Sequence, residues 1–160
     1  MSDKNIKQRC DIPDEYKWDI EDMYPDETVW DQDVSESIAQ AEAFAKYQGK
    51  LTESAATLAE ALKERDAIWQ KLEHAFVYAA MKKDEDNRVD KYQAMDDKCG
   101  SAIAKVAAAM SFFTPELLEA SEETILEYLE NEPALKQYDF LLKSTLRQKA
   151  HILSASEENI

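Results

Sequence analysis

The chain has 160 residues and a mass of 18.3 kDa, enough for one domain with a sizeable core. Nineteen Lys and Arg stand against thirty-four Asp and Glu, a formal net charge of −15. That balance disfavours nucleic acid and anionic membranes, because phosphate binding needs clustered cations to displace counterions. At 44% hydrophobic residues the chain is not short of core material as an acidic disordered protein would be. Its two glycines and four prolines are too few for the turns an all-β chain needs every ~8–12 residues, so the composition predicts helices.

The first residues, Met1 to Lys7, lead into charged side chains with no apolar h-region, so no secretory signal is visible. The longest apolar run, Ala75 to Met81, falls far short of the ~20 residues of a membrane helix. A soluble cytoplasmic protein is expected. Cys10 and Cys99 are too few and too far apart for a disulfide framework or a zinc knuckle, and two reduced thiols fit the cytosol.

Residues 1–25 carry Pro13 and Pro25 without a sustained period. They read as an extended leader lying across the fold, anchored by Trp18, Ile20, Met23 and Tyr24. Asp26 is placed to cap a helix over about Glu27 to Tyr47, with Val29, Trp30, Val34, Ile38, Ala41 and Phe44 at three- and four-residue steps and Gly49 as its stop. Thr52 or Ser54 caps a second stretch bearing Leu58, Leu62, Ile68, Leu72, Phe76 and Ala79, with a possible break near Lys63. The acidic stretch Asp84 to Asn87 ends it. The strongest helical signal follows, with Tyr92, Met95, Cys99, Ile103, Val106, Met110 and Phe113 in a narrow seam suited to antiparallel packing.

Thr114-Pro115-Glu116 reads as a helix start, since proline at the first helical position loses no needed hydrogen bond. Leu117, Leu118, Ile125, Tyr128 and Leu129 supply its apolar face, with a possible break at Ala120-Ser121. Pro133 opens a further helix with Leu135, Tyr138, Leu141, Leu142, Thr145 and Leu146. The fold class expected is all-α, about six helices in an antiparallel array. Ser154-Ala155-Ser156-Glu157 has the form of a capping box, but only six residues follow Ser154, under two helical turns. The expected organisation is therefore a leader at 1–25, a helical domain at 26–153 and the start of a truncated helix at 154–160.

No motif for catalysis is present. The two histidines, His74 and His151, are followed by Ala75 and Ile152, so neither begins the H-E-x-x-H of a zinc peptidase. Gln70-Lys71-Leu72-Glu73-His74 is one substitution from the inverted H-x-x-E-H, but glutamine cannot replace the imidazole ligand. Asp84-Glu85-Asp86-Asn87-Arg88 begins like a calcium loop and fails where Val89 and Met95 replace the required glycine and glutamate. There is no phosphate-cradling glycine loop and no G-x-S-x-G elbow. The adjacent pairs Asp96-Asp97, Glu122-Glu123 and Glu157-Glu158 point apart on a helix and read as solvated faces. Trp18, Trp30, Trp69, Phe76, Tyr78, Phe112, Phe113 and Tyr138 read as core rather than groove lining. No catalytic, metal or cofactor-binding role is assigned to any residue.

The ordered set of local sequences resembles the start of oligoendopeptidase F, a zinc peptidase of the thimet-oligopeptidase-like group. It comprises Ile12 to Tyr24, Trp30, Tyr47 to Leu51, Tyr78 to Asn87, Ser111 to Leu118 and Lys149 to Ser154, which together span nearly the whole chain. The resemblance implies a much longer helical enzyme whose channel admits short peptides, whose N-terminal helices form part of the channel wall, and whose zinc is held by H-E-x-x-H and a downstream glutamate. None of those ligands is in this chain, so it implies no cofactor here, zinc in the full-length enzyme, a missing C-terminal catalytic domain as partner, and an N-terminal segment inactive alone. The alternative is a stand-alone acidic helical module that binds a peptide or protein. An acidic mimic of nucleic acid ranks last, because the carboxylates are interleaved with lysines.

Overall fold

The computed structural model describes residue 7 and residues 9–149. The capping box at Ser154 and the second histidine, His151, lie outside the described residues. Six α-helices appear among the described residues, with no strand: α1 (Glu27–Ala43), α2 (Ala55–Glu85), α3 (Asp90–Ala109), α4 (Phe113–Glu119), α5 (Glu122–Asn131) and α6 (Asp139–Gln148). The all-α class expected from composition is the one observed. Contacts divide the chain into two compact units, Met1–Ala39 with Ile68–Val106, and Gln40–Ala67 with Ala107–Ile160. The dividing points fall within α1, α2 and α3.

In the first unit, α1 begins where Asp26 accepts the amides of Thr28 and Val29 at 2.8 and 3.0 Å, satisfying donors that the first turn leaves unpaired. The buried face of α1 is Trp30, Val34 and Ser37, with Ile38 only half-buried and Val29 exposed. Ser37 enters the core because its hydroxyl donates to the Asp33 carbonyl at 2.8 Å, leaving no unmet polar group. The indole of Trp30 donates to the Ala75 carbonyl at 2.9 Å, and Lys71 bonds Glu36 at 2.8 Å. Residue numbers run oppositely along these contacts, so α1 and α2 are antiparallel there. Lys91–Glu27 and Lys98–Asp31 pairs set α3 parallel to α1. The α3 seam buries Met95, Cys99, Ala102 and Val106, so Ala102 takes the place expected of Ile103, which is half-buried.

The leader differs from the extended strap expected of it. It carries three 3-10 turns, Arg9–Asp11, Asp14–Tyr16 and Ile20–Asp22. Ile20 and Tyr24 are its buried anchors, Met23 is half-buried, and Trp18 is 79% exposed. The 3-10 turn from Ile20 to Asp22 aims Ile20 inward, and Trp18 sits beyond the stretch it fixes.

The second helix is a single 31-residue element, with no break near Lys63. Nothing in Ala55–Glu85 interrupts it, since the segment holds neither proline nor glycine and Leu58, Leu62, Ile68, Leu72, Ala75 and Ala79 keep a continuous buried stripe. Ser54, rather than Thr52, caps it by accepting the Thr57 amide at 3.1 Å.

In the second unit, the end expected of α1 at Tyr47 tightens into a 3-10 turn, Phe44–Tyr47, before Gly49 takes φ 76°, a conformation that costs glycine least. Phe44 is fully buried, with ring centroids of Phe112 and Phe113 at 5.8 and 6.3 Å. That packing helps explain why α4 starts at Phe113 rather than beyond Thr114. The Phe113 amide already donates to the Met110 carbonyl at 3.0 Å, and Pro115 still falls within the first turn, where its missing N–H is not needed. Glu116 is spent elsewhere, accepting the Gly49 amide at 2.6 Å. The break at Ala120-Ser121 is present, with Ser121 capping α5 through the Thr124 amide at 3.0 Å. Pro133 opens a 3-10 turn, Pro133–Tyr138, before α6, burying Leu135 and Tyr138.

Candidate functional site

In the first unit the densest polar cluster lies where the leader meets α2 and α3. Lys82 is 7% exposed, at the end of the buried α2 stripe, four residues beyond Tyr78. Its ammonium donates to Glu21 in the leader and lies 5.7 and 5.9 Å from the ring centroids of Tyr78 and Tyr92. Burial alone would lower the ammonium's pKa, but its hydrogen bond to Glu21, the Glu21 charge and the two tyrosines carry it above the ordinary value. Arg9 pairs with Glu85 beside it, and Lys83 donates to Asp96 at 2.5 Å. The other Asp96 oxygen is buried without a hydrogen bond, and its charge, after burial itself, helps push the Cys99 thiol up to about 11. All the cations of this cluster are held by carboxylates, so it fastens the leader to two helices rather than offering a free acid or base.

In the second unit Tyr47 donates to Glu64 at 2.9 Å, and Lys46 pairs with the same carboxylate at 2.6 Å. The Arg65 guanidinium lies 4.8 Å from the Phe113 ring centroid. Tyr128 donates to the Thr52 carbonyl at 3.0 Å. These contacts tie elements together and present no convergent nucleophile and base.

The residues weighed from sequence stand apart. His74 is exposed, its ring centroid 4.9 Å from that of Tyr24, whose hydroxyl donates to Asp33 at 3.0 Å. Among the described residues no group of three or more His, Cys, Asp or Glu is placed to hold a metal ion. The described residues therefore do not fit the zinc that the family resemblance implies. Asp86, in the stretch that begins like a calcium loop, is held by Arg88 at 2.6 Å, as expected of an inter-helix turn. Cys10 is exposed and Cys99 buried, and both thiols are free. Of the aromatics expected in the core, Trp30, Tyr78, Phe113 and Tyr138 are buried, Trp69 and Phe112 are half-buried, and Phe76 joins Trp18 on the surface. Sequence reasoning did not single out Lys82. The signal for it was positional, because residue 82 continues the 75, 78 and 79 stripe.

Among the described residues no helix is long and apolar enough to cross a membrane. The comparisons with known proteins point to one class, the oligopeptidases. A family model described as Oligopeptidase F matches residues 116–160. Oligopeptidase PepF of Bacillus subtilis is 29% identical over 153 residues, covering 96% of this chain and 23% of the relative. Group B oligopeptidase PepB of Streptococcus agalactiae is 32% identical, covering 95% and 25%. A crystal structure of oligoendopeptidase-F from Enterococcus faecium superposes with a TM-score of 0.71 at 29% identity, covering 83% of this chain and 26% of that one. A Chlamydophila abortus structure at 24% identity shares the fold with a TM-score of 0.83, over 96% of this chain and 26% of its own. The chain is thus similar to an N-terminal region of oligoendopeptidase F, as its local sequences suggested. It spans about a quarter of the length of the curated relatives it matches.

Proposed function

We propose that this chain acts as the non-catalytic helical wall of an oligoendopeptidase F-like zinc peptidase, with residues 1–25 as leader and residues 26–153 as the body. In this reading it shapes a channel through which short peptides reach a zinc site held by polypeptide beyond this chain, in the cytoplasm. The observation that carries it is extent: similarity runs along 96% of the chain yet takes up about a quarter of each relative. The chain's own residues supply scaffolding. The stripe on α2 holds α1 and α3 in the first unit, and the Lys82–Glu21 pair holds the leader on them. When bound in the whole enzyme, zinc would supply a polarised scissile carbonyl and an activated water. In this reading the chain's own residues take no part in that step.

The purified chain is expected to hydrolyse no peptide and to bind no stoichiometric zinc. Metal analysis and a quenched fluorescent peptide check this, and one equivalent of zinc with chelator-sensitive cleavage would overturn it. The coding sequence beyond codon 160 tests the parent enzyme directly. An open frame encoding H-E-x-x-H is expected, and a natural stop would favour the stand-alone binding module instead.

A further inference from the structure

We propose that α5 and α6 of the second unit form a self-complementary docking surface whose occupant is a second copy of this chain. Phe140 on α6 is 78% exposed, an unusual position for a large apolar ring. At 3.6 residues per turn Arg147 lies about 20° from it around the helix and Lys143 about 60°. Both cations are exposed. Lys143 pairs with Asp139 at 2.6 Å, and no carboxylate among the described residues pairs with Arg147. The outer stripe of α6 is thus a phenyl ring with two cations on its C-terminal side, in a chain of net charge −15.

The complementary feature is on α5. That helix carries Glu122, Glu123, Glu127 and Glu130 and no cation. Leu126, 36% exposed, stands one turn beyond Glu122 and Glu123. A groove of about 610 Å³ is lined by Ser121, Glu122, Glu123, Leu126, Leu146 and Lys149. The Lys149 ammonium is occupied by the Ala120 carbonyl at 3.0 Å. Glu122 and Glu123 have no ion-pair partner among the described residues and outnumber Lys149, so the rim is net acidic. The groove is within the ~300–1,000 Å³ of sites that hold small ligands, and it has apolar walls under an acidic edge. Its chemistry asks for an apolar group with cations to one side of it.

That description fits the α6 stripe. Phe140 cannot enter the groove of its own molecule, since Leu146 lies on the same helix about 120° away around the axis. In a two-fold pair, each copy's Phe140 seats on the other's Leu126 and Leu146, while Lys143 and Arg147 meet Glu122 and Glu123. This is the reciprocal contact of an isologous interface. The surface does not depend on the peptidase reading, because mass tests one while zinc content and peptide cleavage test the other.

Sedimentation equilibrium of the full chain should show a concentration-dependent dimer that weakens with added salt. Phe140→Ser, at an exposed position, should weaken it roughly 30-fold, the loss expected of a central aromatic anchor. The double variants Glu122→Lys with Glu123→Lys and Lys143→Glu with Arg147→Glu should each be monomeric, with helical circular dichroism retained. Mixed together, they should recover the dimer, because both half-interfaces are then matched. A monomer at every concentration, a dimer indifferent to Phe140→Ser, or folded reversed variants that fail to recombine would each overturn the proposal.

Discussion

A buried ammonium is costly unless a partner offsets its lost hydration, and Lys82 depends on Glu21 for that offset. The two ends of the pair are unequal, since the Glu21 side chain is 59% exposed and can return to water. Glu21→Gln should therefore destabilise the chain by about 1–2 kcal/mol, discounted for that exposure. Lys82→Met, which keeps the apolar stem against Tyr78 and Tyr92, should cost less, under ~1 kcal/mol. Urea titrations of both variants decide the order, and a larger loss for Lys82→Met would refute the asymmetry. The cysteines differ by the same logic of exposure. Cys10 is open while Cys99 is buried with its thiol held neutral, so a thiol reagent should label one site per native chain and both after denaturation. Rapid double labelling of the native chain would contradict this burial.

At the scale of elements, periodicity and capping chemistry made most helices legible. Asp26 acts as a helix cap as its position implied, and Ser54 resolves the choice with Thr52. Boundaries were less legible where long-range packing set them. The α4 start at Phe113 follows burial of that ring beside Phe44, some seventy residues earlier, which no local spacing encodes. The leader's Trp18 departs from the expectation that a large aromatic seeks the core, because the turn at Ile20 to Asp22 decides which of the leader's apolar residues does so. For function the sequence was informative chiefly through what it lacks and what it resembles, because ligand motifs are local whereas the Lys82 cluster joins three elements. Continuity of α2 is open to direct test. Lys63 is exposed and mid-helix, so Lys63→Pro should cost ~3 kcal/mol or more by removing a helical hydrogen bond and clashing with the preceding turn. A loss below ~1 kcal/mol in chemical denaturation would mean that the helix is jointed there.

For the whole molecule, charge acts in two opposing ways as pH falls. A net charge of −15 favours expansion through self-repulsion, and protonation towards the pI near 4.5 relieves it. Against this, several carboxylates are held below their ordinary range in the fold. Lys17 does this to Asp14, Lys82 to Glu21, the amides of Val29 and Thr28 to Asp26, Lys71 and Gln32 to Glu36, and Arg88 to Asp86, down to about 2. A folded pKa below the unfolded value gives stability that is complete above the unfolded pKa and lost as pH falls through the folded one. Stability should therefore rise slightly from neutrality towards about pH 5 as repulsion is relieved, then fall from about 4.5 towards 2 as the pairs are protonated. At alkaline pH the sign reverses. The Cys99 thiol is raised from 9.0 to about 11, so the unfolded chain loses its proton first and stability declines over that interval. Lys82, also raised, loses its contribution above its unfolded value of 10.5. Urea midpoints across the acid and alkaline ranges measure this profile. A midpoint that kept rising below pH 4 would show that charge repulsion, rather than the five paired carboxylates, governs the acid limb. Added salt at neutral pH separates the two effects, because screening should raise the midpoint if repulsion dominates there and lower it if the surface pairs do.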